Sequence, residues 1–291
     1  MTSIPVLPSQ RLTGALCVLL SAAGFGVLGI FGKIAFSSGI SIDTLLMLRF
    51  AGAGLLMSAL MVLLRLPWPR GRDLLVLAAM GAIGYVGQAF CYFSALQHAS
   101  AGLTALLLYL YPALVTLVSA ALGRQKLTFP KLLAVIATLV GILLTVSGGL
   151  SGTVSGVIYG ISAAIIYTGY ILTGELVTRR TGAIPAATVI MLTAAAVFGA
   201  VALFNGIHLP VGLTGWGAVA GIALLSTIVP MVGFFAGMQR IGAADAATLS
   251  TFEPVVTLAM AALLLGESLS NLQLFGAGLV ICAVIALSRI R

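Results

Sequence analysis

Apolar positions in this chain come in long unbroken runs parted by short polar connectors. Ten runs are visible, at roughly 12–36, 42–64, 73–96, 101–121, 131–147, 154–176, 184–204, 213–237, 243–265 and 271–288. About 20 helical residues at 1.5 Å each cover the roughly 30 Å hydrocarbon core of a bilayer. The pattern therefore predicts ten membrane-crossing helices, with the fifth and tenth the shortest. Residues 1–11 form a short polar tail and 289–291 a second one, while Ser147 to Gly156 is a Gly/Ser-rich stretch near the middle. The first run is too long for the apolar region of a cleaved leader and reads as a retained span.

The runs also repeat. Residues 85–128 align with 227–270 at a constant offset of 142, pairing Phe93 with Phe235, Gln97 with Gln239, Pro112 with Pro254 and Leu122 with Leu264. Five runs precede the central connector and five follow it. An odd number of crossings brings the second copy in from the opposite side. The expected fold is thus an all-α membrane protein of two inverted five-helix repeats, 12–147 and 154–288, joined by 148–153 around a central cavity.

Charge supports this. Arg124 and Lys126 follow the first copy, whereas Glu267 follows the second. Twelve of the 14 Lys and Arg residues flank runs on one side, and only Lys33 and Arg49 lie within runs. Such an excess marks the cytoplasmic side, so both termini are expected there. With 61 % hydrophobic and 7 % charged residues and a mean hydropathy of +1.22, a soluble domain is excluded. The net charge of +8 is then a topology signal, and no nucleic-acid partner is expected. Cys17, Cys91 and Cys282 lie inside apolar runs and imply neither a disulfide framework nor a metal site. Nucleotide-loop and His-Glu-x-x-His patterns are absent. The expected partners are the lipid bilayer and a small-molecule substrate, without cofactor or metal; nothing in the pattern signals an oligomeric state.

Proline marks where the helices break. Pro112, Pro230 and Pro254 each remove one backbone hydrogen bond and displace the carbonyl four residues earlier, here those of Leu108, Ser226 and Ser250. Such groups at membrane depth line a wet cavity or are buried in protein. Gly84 and Gly87 are expected to act with Pro230 as hinges. Arg49 and Glu253 are the ionisable residues deepest in apolar sequence, each expensive unless paired or hydrated. Three roles compete: a structural salt bridge between them, a grip on a substrate carboxylate by Arg49, and proton coupling by Glu253. Lys33 is expected to snorkel to the outer interface with Asp43 nearby, Glu175 and Arg179 to pair on a helix surface, and Asp245 to sit near Arg240. Tyr85, Gln88 and Tyr92, Tyr109 and Tyr111, and Tyr167 and Tyr170 recur near helical spacing, with Phe252 in the second half. Tyrosines offer an apolar face and one hydroxyl, suited to a permissive site for neutral or zwitterionic solutes; the competing role is plain helix packing.

The chain resembles the ten-helix, EamA-type branch of the drug/metabolite transporter superfamily. The resemblance is carried by Leu107-Leu-Tyr-Leu-Tyr-Pro-Ala-Leu-Val, by Ser250-Thr-Phe-Glu-Pro-Val-Val-Thr-Leu-Ala-Met-Ala-Ala-Leu-Leu-Leu-Gly-Glu, by Leu48-Arg-Phe and by Phe93-Ser-Ala-Leu-Gln. It implies metabolite export across a bacterial inner membrane, with 148–153 periplasmic and runs 1, 3, 4, 6, 8 and 9 lining a cavity. Amino-acid exporters, including the broad-range YddG type, are a prominent subgroup. Alternating-access export of amino acids, aromatic ones included, is therefore the leading expectation, and not enzymatic activity. Export of cationic drugs or sugars in the same fold, or a non-transporting enzyme or scaffold, are the alternatives. A phosphorylated sugar would call for several midplane cations, and only Arg49 is at hand.

Overall fold

The computed structural model describes residues 8–123, 127–147, 152–241, 249–250, 252–267 and 270–289. Arg124, Lys126, Asp245 and most of the 148–153 connector lie outside them, as do the side chains of Pro112, Glu175, Arg179 and Phe235. The described chain is helical throughout: α1 (Pro8–Gly26), α2 (Leu28–Ser37), α3 (Ile42–Leu63), α4 (Gly71–Ala79), α5 (Val86–His98), α6 (Ala101–Leu108), α7 (Tyr111–Ala121), α8 (Phe129–Ser147), α9 (Val154–Thr181), α10 (Ala183–Asn205), α11 (Gly212–Ala223), α12 (Val229–Ile241), α13 (Glu253–Leu265) and α14 (Asn271–Arg289). Short polar residues set the starts. Ser41 Oγ accepts from the Thr44 amide at 3.4 Å to open α3, and Ser100 Oγ accepts from the Leu103 amide at 3.2 Å to open α6. Gly266, with φ of 66°, turns the chain out of α13 in the left-handed region.

Seven helical stretches are long and apolar enough to cross a bilayer: Leu12–Ser37, Ile42–Leu63, Gly71–His98, Ala101–Ala121, Val154–Gly174, Ile184–Asn205 and Gly212–Phe234. Three shorter apolar helices, Phe129–Leu144, Glu253–Leu265 and Leu274–Ala283, fall in the fifth, ninth and tenth predicted runs. Of the ninth run, residues 243–248 and 251 lie outside the described ones, and the described helix spans Glu253–Leu265 with Pro254 in its first turn.

Four of the long stretches are irregular inside. The first breaks between Gly26 and Leu28, and the fourth between Leu108 and Tyr111, where Pro112 cannot donate to Leu108. Wider π-turns interrupt the third at Met80–Tyr85 and the eighth at Leu224–Ile228. Adding the repeat offset to the first π-turn brings it onto the second within two residues. A bulge of this kind inserts an extra residue into a turn and redirects side chains around it.

The helices pair closely: α1 on α12, α3 on α10, α5 on α9 and α8 on α14. Glycine permits the approach. A Cβ on Gly141 of α8 would stand 2.7 Å from the Gly276 carbonyl oxygen of α14, and one on Gly54 of α3 would stand 2.9 Å from the Leu192 side chain of α10. Phe50, Phe93 and Phe198 are fully enclosed in the largest cluster, with Leu45, Leu46 and Leu96. Leu55, Leu63, Leu203 and Phe204 point outward and exposed. An apolar exterior of this extent suits hydrocarbon surroundings.

Candidate functional site

Arg49 of α3 is 3 % exposed. Its Nε donates to Thr227 Oγ1 at 3.0 Å, and Thr227 Oγ1 in turn donates to the Ile222 carbonyl at 2.8 Å. That five-residue reach is the signature of the π-turn in which Thr227 lies. The irregularity therefore aims the hydroxyl at the arginine. The guanidinium carbon also lies 5.0 Å from the Phe50 ring centre and 5.6 Å from that of Phe93, contacts that partly offset its desolvation.

Glu253 opens α13. Tyr109 Oη approaches Glu253 Oε2 at 3.0 Å and the Ser250 carbonyl at 3.1 Å. The Ser250 carbonyl is the group that Pro254 deprives of its helical donor, so a tyrosine from the opposite repeat replaces the missing bond. Among the described residues no ion pair joins Arg49 to Glu253. The expected structural bridge is not formed; each charge has a neutral hydroxyl partner instead.

Between the two charges runs a ladder of tyrosines. Tyr85 stacks on Tyr170 at 5.4 Å between ring centres, Tyr170 on Tyr167 at 5.7 Å, Tyr167 meets Tyr111 edge-on at 4.9 Å, and Tyr111 lies 6.0 Å from Tyr109. At the far end Tyr85 packs 5.2 Å from Phe50. Tyr85 and Tyr92 are electrostatic neighbours of Arg49, while Tyr92, Tyr109, Tyr111 and Tyr167 are neighbours of Glu253. Tyr85, Tyr111, Tyr167 and Tyr170 all remain partly accessible. Gln88 lies on the same face of the third stretch, bracketed by Tyr85 and Tyr92, and is 8 % exposed.

Other expected residues divide. Ser226 is fully enclosed beside Thr227, and its Oγ has no hydrogen-bond partner. Phe252, 45 % exposed, stands apart from the ladder. The Pro230 carbonyl accepts from Ser21 Oγ at 2.7 Å. Gly84 and Gly87 face α9: an added Cβ would lie 3.5 Å from Tyr170 and 3.4 Å from Ile166 respectively. Thr227 escaped sequence reasoning, although a hydroxyl three residues before a proline in an apolar run was the available signal.

At one end of the bundle, hydrogen bonds converge on residues 98–102. Lys33 Nζ donates to the Ala99 carbonyl at 2.6 Å rather than snorkelling, and Asp43 accepts from Asn205 at 2.9 Å instead of accompanying Lys33. Glu267 accepts from the Ala101 amide at 2.7 Å and the Gly102 amide at 3.2 Å, so it caps α6 from the other repeat. The Thr153 amide bonds the His98 carbonyl at 2.9 Å, beside a bridge between Ala99 and Gly152. At the opposite end Arg180 pairs with Asp73 at 2.7 Å, and Arg240 donates to the Ala236 carbonyl at 2.6 Å.

Two segments, 12–147 and 154–289, each match the EamA-like transporter family. An uncharacterized transporter of Bacillus subtilis, YcbK, is 29 % identical over 92 % of this chain and 90 % of its own length. An uncharacterized inner membrane transporter of Escherichia coli K12, YedA, is 27 % identical over 91 % of this chain and 89 % of its own. A crystal structure shares the fold with a TM-score of 0.68, covering 97 % of this chain and 98 % of that one at 21 % identity.

Proposed function

The chain belongs to the EamA-like transporter family, and from that premise we propose that it is a secondary transporter exporting small metabolites, foremost amino acids of broad range including aromatic ones. It works in a bacterial inner membrane by alternating access, with ten crossings in two inverted repeats and both termini cytoplasmic. The pairing of helices supports this topology. Exchange of the two repeats carries α3–α10 and α8–α14 onto themselves and interchanges α1–α12 with α5–α9. The matched π-turns of the third and eighth stretches support it too.

The observation that carries the substrate reading is the tyrosine ladder between a buried Arg49 and a half-buried Glu253, neither of them in an ion pair among the described residues. An amino acid brings a group able to pair with either charge, and the tyrosine faces accept aliphatic or aromatic skeletons alike. The hydrogen bonds converging on residues 98–102 support a state closed to the outside. Parting them while closing the cytoplasmic end would complete the cycle.

Proteoliposomes loaded with unlabelled amino acids should take up labelled phenylalanine or lysine by counterflow. Absence of counterflow for every amino acid, in protein that remains folded, would reject the substrate class. Export of organic cations is the second reading, favoured by the Glu253 carboxylate among tyrosines. Glu253→Gln would then abolish cation flux, whereas Arg49→Gln would leave it intact.

A further inference from the structure

Resting on the reading of this site as an amino-acid pathway, we infer that its preferred occupants are elongated zwitterions, with a carboxylate on Arg49 and Gln88 and a distal ammonium on Glu253. Solutes that carry both charges on one carbon satisfy only one end.

The anion end keeps donors to spare among the described residues. A guanidinium offers five N–H donors, and among the described residues only Nε of Arg49 has an acceptor. The Gln88 amide has none. Neither group is sealed: the enclosed side-chain atoms without partners, among the described residues, are Thr128 Oγ1 and Ser226 Oγ. The free nitrogens of Arg49 and the Gln88 amide therefore face space that water can enter, although the two residues are 3 % and 8 % exposed. Two terminal guanidinium nitrogens match a carboxylate in bidentate geometry, and Gln88, one turn from both Tyr85 and Tyr92 on the third stretch, is the amide offered to the same carboxylate.

The cation end is complementary. Glu253 receives one hydrogen bond from Tyr109 among the described residues, which leaves lone pairs free on its carboxylate. Tyr111 and Tyr167 stand close by, so an ammonium would meet both a carboxylate and aromatic faces.

Separation sets the length. No ion pair joins the two charges among the described residues. Arg49 is held by Thr227 of the eighth stretch and Glu253 by Tyr109 of the fourth. The ladder places Tyr85 beside Arg49 and Tyr109 on Glu253, with three rings between them. An occupant must hold its two charges several bonds apart, with a flexible or flat skeleton laid along the rings. Basic amino acids and ω-amino acids have that form. An ω-amino acid pairs both charges without adding net charge to the membrane interior, whereas a basic amino acid brings one further ammonium.

The test is equilibrium binding to the full-length purified protein in nanodiscs, by displacement of labelled L-lysine. Competitors are glycine, L-leucine, L-phenylalanine, 4-aminobutyrate, 6-aminohexanoate, hexylamine and hexanoate. Lysine and 6-aminohexanoate should bind at least about tenfold more tightly than glycine, leucine, hexylamine or hexanoate, the scale of one charge-assisted hydrogen bond. Arg49→Gln should erase the advantage of 6-aminohexanoate over hexylamine, and Glu253→Gln its advantage over hexanoate. The wild-type series decides the matter even where a variant fails to fold. Leucine and phenylalanine binding as tightly as lysine, with no gain from glycine to 6-aminohexanoate, would overturn the inference while leaving amino-acid transport standing. If labelled lysine and labelled phenylalanine both fail to bind, the parent reading falls and this inference with it.

Discussion

A buried arginine in this bundle is held by a threonine and two phenylalanine rings, not by a carboxylate. The depth of Arg49 and of Glu253 could be read from the apolar residues around them, because depth is a property of one helix. Their partners could not. Which face of the eighth run meets the second depends on a π-turn whose extra residue rotates Thr227 toward Arg49, and apolar composition carries no trace of that rotation. Lys33 failed for a similar reason. Snorkelling assumes a free interface, but the bare Ala99 carbonyl at the α5–α6 turn lies within its reach. Replacing Thr227 with Val removes the acceptor for Arg49 Nε and costs about 1–2 kcal/mol of stability. The variant should melt a few degrees lower and lose roughly tenfold in affinity for carboxylate-bearing solutes. Affinity for their decarboxylated amines should stay unchanged in the same displacement assay.

Helices here are legible as runs and less so as shapes. The ten apolar runs and the breaks at Pro112 and Pro254 follow from hydropathy and from proline's missing donor. The π-turns are legible only as places: Leu224–Ile228 holds Ser226, whose carbonyl Pro230 deprives of a donor, and Met80–Tyr85 holds the expected hinge Gly84, but nothing in either stretch spells out a π-turn. What they have in common is a place in the repeat. Packing between elements rests on backbone proximity instead of side-chain bulk. A valine at Gly141 would force its Cβ to within 2.7 Å of the Gly276 carbonyl oxygen, overpacking of a kind that costs about 1–3 kcal/mol. Gly141→Val should lower the melting temperature by several degrees in detergent. A full-strength melt would show that α8 and α14 separate freely.

At the scale of the whole molecule, the cluster at 98–102 gathers groups from both repeats and the link between them: Lys33 from the first, Glu267 from the second and Thr153 from the connector. Sequence showed only the sign of these charges, since their convergence is a product of the tertiary fold. Glu267→Gln keeps the shape of the cap but removes the charge that favours a helix N-terminus. Under it lies Leu103, 1 % exposed. In a Leu103→Cys background, labelling by an impermeant maleimide from outside should accelerate severalfold when Glu267→Gln is added; an unchanged rate would mean that the cap does not hold the gate. The inverted architecture has its own check. Cysteines at Arg65 and Ile207, equivalent connectors of the two repeats, should label from opposite compartments.

Tyr109 has a single hydrogen to give, and two oxygens lie within its reach: the Glu253 carboxylate and the Ser250 carbonyl, four residues before Pro254. One phenol therefore links the group that would receive a cation to the bend at which α13 begins, and it does so across the two repeats.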